Sequence, residues 1–318
     1  TGQDSDLFRA CTFDGEVPDI PELVGDVRDV ELENVRGFDA IIHLAGLSND
    51  PLGDYNPSLT EDINHQGSVR IARLAKEAGV PRFLFASSCS TYGGGGQDFL
   101  DESARFNPVT PYGVSKVEVE RDVAPMADDD FSPTFLRAST AYGMSPRIRF
   151  DLVVNNLTAW AFTTGEVHLK SDGTPWRPLV HVEDIGRAYR AILEEDREVV
   201  HNKAFNVGTT SENYMIREVA EIVHDIVPNC EIGFADGAEP DKRCYRVDCN
   251  LLSHTVHGFK PQWTVRRGVE QLLEAYQRVG LTLEDFEGPR FKRIGHVKQL
   301  LDGGRLDRTL RWTQAQNT

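Results

Sequence analysis

A doubly wound α/β fold with a parallel sheet is what this sequence predicts, and three observations predict it. Apolar runs at 38–46 and 82–88 read as strands buried on both faces. Between them, residues 58–78 carry apolar side chains at helical spacing. Further strand-like and helical stretches continue the alternation down the chain, which is how a parallel sheet with helical crossovers is written. Such sheets hold ligands at the carboxyl ends of their strands.

In order, a strand is expected at Glu22-Leu23-Val24-Gly25, ending in Asp26-Val27-Arg28-Asp29. The run Phe38 to Gly46 closes on small residues, Ala45 and Gly46. The helix over 58–78 places Ile63, Val69, Ile71, Leu74 and Ala75 inward, with Gly79 as C-cap and Pro81 beyond it. Arg82 to Ser88 is the next buried strand. Gly93 to Gly96 reads as a loop, since no helix start follows it. Thr134-Phe135-Leu136-Arg137 is a strand, 151–164 a helix, and Val199 to Gly208 a strand. Helices around 214–227 and 265–279 complete the regular part. With no internal repeat and no low-complexity linker, a second, smaller C-terminal lobe has to interleave with the first.

Composition bounds the function. The 318 residues include 40% hydrophobic and 26% charged side chains, an ordinary globular balance. No apolar run approaches the roughly 20 residues that cross a bilayer, and no secretory signal opens the chain, so no membrane partner is expected. Against 50 acidic side chains stand 34 basic ones, for a net charge of −16. That opposes binding to nucleic acid, which needs basic surface to displace counterions. The five cysteines (Cys11, Cys89, Cys230, Cys244 and Cys249) form no C-x-x-C pair. Neither a disulfide framework nor a metal site is expected, and a reducing cytoplasm is the simplest location.

Thr110-Pro111-Tyr112-Gly113-Val114-Ser115-Lys116 carries the chemistry. On a helix, Tyr112 and Lys116 share a face one turn apart. An ammonium beside a phenol favours the phenolate, which free tyrosine reaches only near pH ~10. Taken alone, the same spacing equally describes an amphipathic helix with one aromatic and one snorkelling lysine.

The company of this stretch narrows the choice. Gly25-Asp26-Val27-Arg28-Asp29, His43-Leu44-Ala45-Gly46, Ser87 to Gly93, Tyr112-x-x-x-Lys116, Leu179-Val180-His181-Val182-Glu183-Asp184 and Phe205-Asn206-Val207-Gly208 occur in this order. Together they resemble the extended short-chain dehydrogenase/reductase family, especially its nucleotide-sugar epimerases and dehydratases. The resemblance runs from Asp4 to about Gln271 and implies a Rossmann-like domain. It would occupy 1–146, with 179–208 returning to it. Residues 147–178 and 209–318 would form the substrate lobe and an extension. On this alignment a glycine-rich βα unit of roughly 30 residues would precede Thr1.

Roles follow from the resemblance, position by position. NAD is the implied cofactor. Asp4 would accept from the adenosine ribose and disfavour a 2′-phosphate, Asp26 and Val27 would flank the adenine, and Leu44, Ala45 and Gly46 would run along the cofactor. Ser88 would bind the reacting hydroxyl, Tyr112 would be the acid/base, and Lys116 would hold the nicotinamide ribose. Ser48 and Asn49 would face the sugar, with Asp50 a further candidate base. Asn156, Arg177 and Arg243 would take the diphosphate of a nucleotide sugar. His181 is expected to be packed, and Cys89 to be a small buried thiol. Dehydratases of this family carry acidic residues where Cys89, Ser90 and Thr91 stand, so C-4 epimerisation is the implied reaction. A 4-ketosugar reductase, a uronic acid oxidase/decarboxylase and a non-catalytic dinucleotide-binding relative are the alternatives. The resemblance further implies a homodimer through helices near 58–78 and 112–127. The tail from Leu281 to Thr318, with Phe286, Phe291 and Trp312, is expected to form a lid, a subunit contact or a cap.

Overall fold

Among the described residues, four parallel strands form the central sheet of the computed structural model, in the order β1 (Ala40–His43), β2 (Arg82–Ser88), β3 (Ser132–Ala138) and β4 (Lys203–Val207). The residues described are Cys11, 20–48, 53–94, 98–235, 244–289 and 291–313. Ala40 pairs with Arg82, Arg82 with Ser132, and Thr134 with Lys203, so the strands' carboxyl ends lie along one edge. Side chains alternate between faces. Phe83, Phe85 and Phe135 pack on one side against α1 (Gly67–Glu77) and α2 (Pro111–Val123). Leu84, Leu136, Phe205 and Val207 pack on the other against Ala188 and Ile192 of helix Val182–Glu194.

α1 continues a helix that starts at Pro57 and widens into a π-helical stretch at Glu61–Gln66. Its expected inward residues Ile63, Val69, Ile71 and Ala75 are buried. Gly79, at φ +75°, takes the left-handed turn that ends it.

A second core lies beside the sheet. Tyr142, Val154, Val167, Leu169, Val219, Val269 and Tyr276 are buried within it. It joins helices Val153–Thr164, Ile216–Ile226 and Val265–Val279 to a parallel pair, Glu166–Leu169 with Glu231–Phe234. Strand Trp176–His181 links the two regions by pairing in parallel with Thr140–Tyr142 and antiparallel with Asn213–Met215. The smaller lobe is thus interleaved with the first.

Three expectations need correction. Glu22–Gly25 is no strand: it lies exposed, without a sheet partner among the described residues, and Asp26 instead caps the short turn Val27–Asp29. The strand in 38–46 spans only Ala40–His43 and is not buried on both faces. Among the described residues it pairs only with β2, and Ile42 and, just past its end, Leu44 are exposed, at 40% and 62%. The stretch 199–208 opens with the end of a short helix, Arg197–Val200, before β4 begins at Lys203.

The tail joins both cores. Phe286 is buried in the second, edge-on to Phe150 and Trp160. Helix α3 (Arg293–Asp302) turns Val297 and Leu300 onto Leu47, Leu59 and Ile63 beside the sheet's carboxyl edge. Trp312 is 43% exposed, with Arg305 over its ring.

Candidate active site

A cavity of ≈ 810 Å³ opens where β2 and β3 end, and Ser88 and Tyr112 both line it. Ser88 is the last residue of β2, and its hydroxyl accepts from the backbone N–H of Ser90 at 3.1 Å. Tyr112 sits in the first turn of α2. Thr110 caps that helix by accepting from Gly113 N–H at 3.1 Å, and Pro111 fills the first helical position, which needs no N–H. The sequence Thr-Pro-Tyr therefore fixes where the helix starts and holds the phenol at its mouth.

Lys116, one turn along, is buried. Its ammonium donates to the Ala86 carbonyl at 2.6 Å, lies 4.5 Å from the Phe85 ring centroid and 5.4 Å from that of Tyr112. Burial pulls its pKa down to about 8, against an opposing pull from Glu120. Glu120, another turn along α2, is buried in an ion pair with Arg137 at 2.6 Å and accepts from the Ser87 hydroxyl at 2.5 Å. Arg137 also donates to Tyr92 Oη at 3.0 Å, and Tyr92 donates to Asn206 Oδ1 at 2.7 Å. A polar network thus underlies the floor of the cavity. The sequence offered a signal for Glu120, which repeats the four-residue spacing of Tyr112 and Lys116.

At the end of β1, Asn64 clamps the turn: it accepts from Leu47 N–H at 2.6 Å and donates to Leu47 carbonyl at 3.0 Å. A Cβ on Gly46 would meet Asn64 Oδ1 at 3.0 Å, so glycine is what lets the amide approach. His43 bonds Ser68 at 2.8 Å, and burial, with the nearby Lys116 charge, pushes its pKa down to about 4. Asp26 is held by Arg28, with contacts of 2.6 to 2.9 Å that keep its carboxyl below the usual range. Val27 packs between α1 and the tail. Asp4, Asn49, Asp50 and Arg243 lie outside the described residues.

Ser48, Asn156 and Arg177 all line the cavity with Ser88 and Tyr112. The Asn156 amide donates to the Phe150 carbonyl at 2.8 Å, and Arg177 to that of Trp176 at 2.8 Å. Sequence reasoning missed Arg149, Lys170 and Tyr245 in the same wall. No spacing marks them, because they come from three separate segments. His181 is packed as expected: it stacks on Trp263 at 3.8 Å, bonds Gln271 at 2.8 Å and caps helix Val182–Glu194. The Cys89 thiol is fully buried and directed at the Arg137 carbonyl, and burial raises its pKa well above the ordinary value.

Residues 24–208 match the NAD dependent epimerase/dehydratase family. The chain belongs to that family. A UDP-glucose 4-epimerase of Lactobacillus helveticus is 29% identical over 272 residues, covering 80% of this chain and 79% of its own. One of Neisseria meningitidis serogroup B is 27% identical over 300 residues, covering 84% of each. Among solved structures, MoeE5 in complex with UDP-glucuronic acid and NAD superposes with a TM-score of 0.72 at 27% identity, over 83% of this chain and 88% of that one. The six motifs that carry the resemblance all fall inside the matched span, as do Ser88, Tyr112 and Lys116.

The described residues fit the nicotinamide half of the family's dinucleotide. The Ala45–Gly46 turn ends β1 under the Asn64 clamp, exposed Leu44 offers apolar surface beside it, and the Lys116 ammonium lies below the Tyr112 ring. No glycine-rich turn suited to pyrophosphate precedes β1 among the described residues.

Proposed function

We propose that this protein binds NAD and epimerises a nucleoside-diphosphate sugar at C-4. The observation that carries the reading is the placing of Ser88 and Tyr112 on one cavity, with the Lys116 ammonium 5.4 Å from the phenol ring. Tyr112 takes the proton of the C-4 hydroxyl as the general base and returns it as the general acid. Lys116, positively charged and desolvated, stabilises the phenolate and reaches the nicotinamide ribose. Ser88 steadies the reacting oxygen. NAD, held beside the Ala45–Gly46 turn and Lys116, would supply the two-electron acceptor and donor for the hydrogen at C-4. Positions 89–91 hold Cys, Ser and Thr, so no carboxylate stands there to remove a proton at C-5.

Asn156, Arg177 and Arg243 take the diphosphate, while Ser48 and Asn49 face the sugar. Asp4, Asp26, Val27, Leu44, Ala45 and Gly46 hold the cofactor. The two regions of the chain divide as 1–146 with 179–208, and 147–178 with 209–318. The working form is a homodimer through the helices near 58–78 and 112–127, and its place is the cytoplasm. No helix among the described residues is long and apolar enough to cross a membrane.

The test is incubation of the protein and NAD with a panel of nucleotide sugars, followed by NMR of products and absorbance at the NADH band. A C-4 epimer without net NADH is expected. Stoichiometric NADH would replace this reading with a net oxidoreductase.

A further inference from the structure

Asn206, in the motif Phe205-Asn206-Val207-Gly208, joins two sides of the cavity through one carboxamide. It is fully buried near the end of β4. Its Oδ1 accepts from Tyr92 Oη at 2.7 Å, while its Nδ2 donates to the Asp248 carbonyl at 2.9 Å and to that of Leu100 at 3.4 Å. Its backbone N–H donates to Glu102 Oε1 at 2.7 Å.

The reacting end lies on the Oδ1 side. Tyr92 ends the short turn Cys89–Tyr92 that follows Ser88, and its Oη accepts from Arg137 Nη1 at 3.0 Å. Arg137 pairs with Glu120 at 2.6 Å, and Glu120 stands on α2, one turn past Lys116 and two past Tyr112. β4 itself ends against the floor, where Ser139, which lines the cavity, donates its N–H to the Val207 carbonyl at 3.0 Å.

On the Nδ2 side lies the segment Tyr245–Asp248. Arg246–Val247 pairs in parallel with Phe99–Leu100, and Asp248 N–H donates to the Leu100 carbonyl at 2.9 Å. From the second lobe Asn213 grips the same segment, donating to the Val247 carbonyl at 2.9 Å and accepting from the Val247 N–H at 2.8 Å. Tyr245 lines the cavity, with the Arg177 guanidinium 6.0 Å from its ring centroid. Asn213 thus fastens this wall to the second lobe, and Asn206 fastens it to the sheet. The joint needs an acceptor at one end and a donor at the other, which a carboxamide supplies and a carboxylate does not.

We propose that Asn206 is a positioning residue that holds the Tyr245–Asp248 wall in register with Ser88 and Tyr112, so that a substrate gripped by its diphosphate presents C-4 to the phenol. This deepens the nucleotide-sugar reading of the cavity and rests on it. Asn206 itself is not among the residues that line the cavity. The competing role is a buried amide that satisfies the backbone around it and no more.

Kinetics and binding separate the two roles, with thermal unfolding to show that each variant is folded. Asn206→Ala should lower kcat/KM for UDP-glucose about tenfold to a hundredfold, mostly in kcat, the usual consequence of a substrate misplaced by about 1 Å. Binding of UDP alone and of NAD alone should stay within about threefold of the parent, since neither spans the joint. Tyr92→Phe removes the Oη link, leaves the ring in place and should lower kcat in the same sense. In the double variant the two losses should overlap rather than multiply, because both cut one link. Parent-like turnover in Asn206→Ala, equal losses in turnover, UDP binding and NAD binding, or independent losses in the double variant would overturn the proposal and leave the epimerase reading intact. If Asn206→Ala does not fold, Tyr92→Phe decides, and parent-like turnover there overturns the proposal. A parent that turns over no nucleotide sugar would end both.

Discussion

Lys116 lies under Tyr112, its ammonium 5.4 Å from the phenol ring and bonded to the Ala86 carbonyl at 2.6 Å. Burial has lowered its pKa to about 8, and Glu120 opposes that shift. The charged form is the one that stabilises a phenolate. Activity should therefore fall as pH rises through about 8, where Lys116 loses its proton. Removing the Glu120 charge lowers the Lys116 pKa further, so Glu120→Gln should move this alkaline limb to lower pH. A pH profile of kcat for both proteins checks it, and an unmoved limb would show that Glu120 does not set the Lys116 charge.

Tyr112→Phe removes the only acid/base the account uses. Turnover should drop by about 10²- to 10⁴-fold, the usual worth of a positioned proton-transfer group. Nucleotide-sugar affinity should change little, so kinetics and equilibrium binding on the same variant separate chemistry from recognition.

Gly143 is a packing constraint next to the cavity wall. A Cβ there would meet His181 Nε2 at 2.1 Å, and its φ of +104° disfavours any other residue. Gly143→Ala must displace His181 from Trp263 and Gln271, its partners at 3.8 and 2.8 Å. A loss of about 1–3 kcal/mol is expected, or more if the backbone has to move. Thermal unfolding measures it.

Leu300 and Val297 fasten the tail to Leu47. Leu300→Ala should cost about 2–4 kcal/mol, from lost burial and the cavity left behind. Hydrogen exchange should rise across α3 and the Leu47–Ser48 turn together, whereas a tail packed independently would show exchange in α3 alone.

Much of this was legible because local chemistry and global fold agree. β2, β3 and helices Val153–Thr164 and Val265–Val279 lie where their apolar patterns put them, and Thr110-Pro111 announces the start of α2. Glu22–Gly25 misled because two apolar residues beside a glycine look like a strand, yet a strand needs a partner and none pairs with it among the described residues. Ser88, Tyr112 and Lys116 were readable from an ordered set of motifs. Arg149, Lys170 and Tyr245 were not, since they come to the cavity from separate segments that no spacing links. The tail's role was open for the same reason: Phe286 and Leu300 serve different cores, and hydrophobicity alone does not say which.

The central claim is that the hydrogen at C-4 leaves and returns without meeting water, while Tyr112 handles only the hydroxyl proton. It is tested by supplying UDP-glucose and UDP-glucuronic acid deuterated at C-4 to the protein with NAD in ordinary water, then reading the product by NMR. The account predicts a C-4 epimer that keeps its deuterium, with no net NADH. Loss of the label to solvent, or NADH formed in step with product, would contradict it.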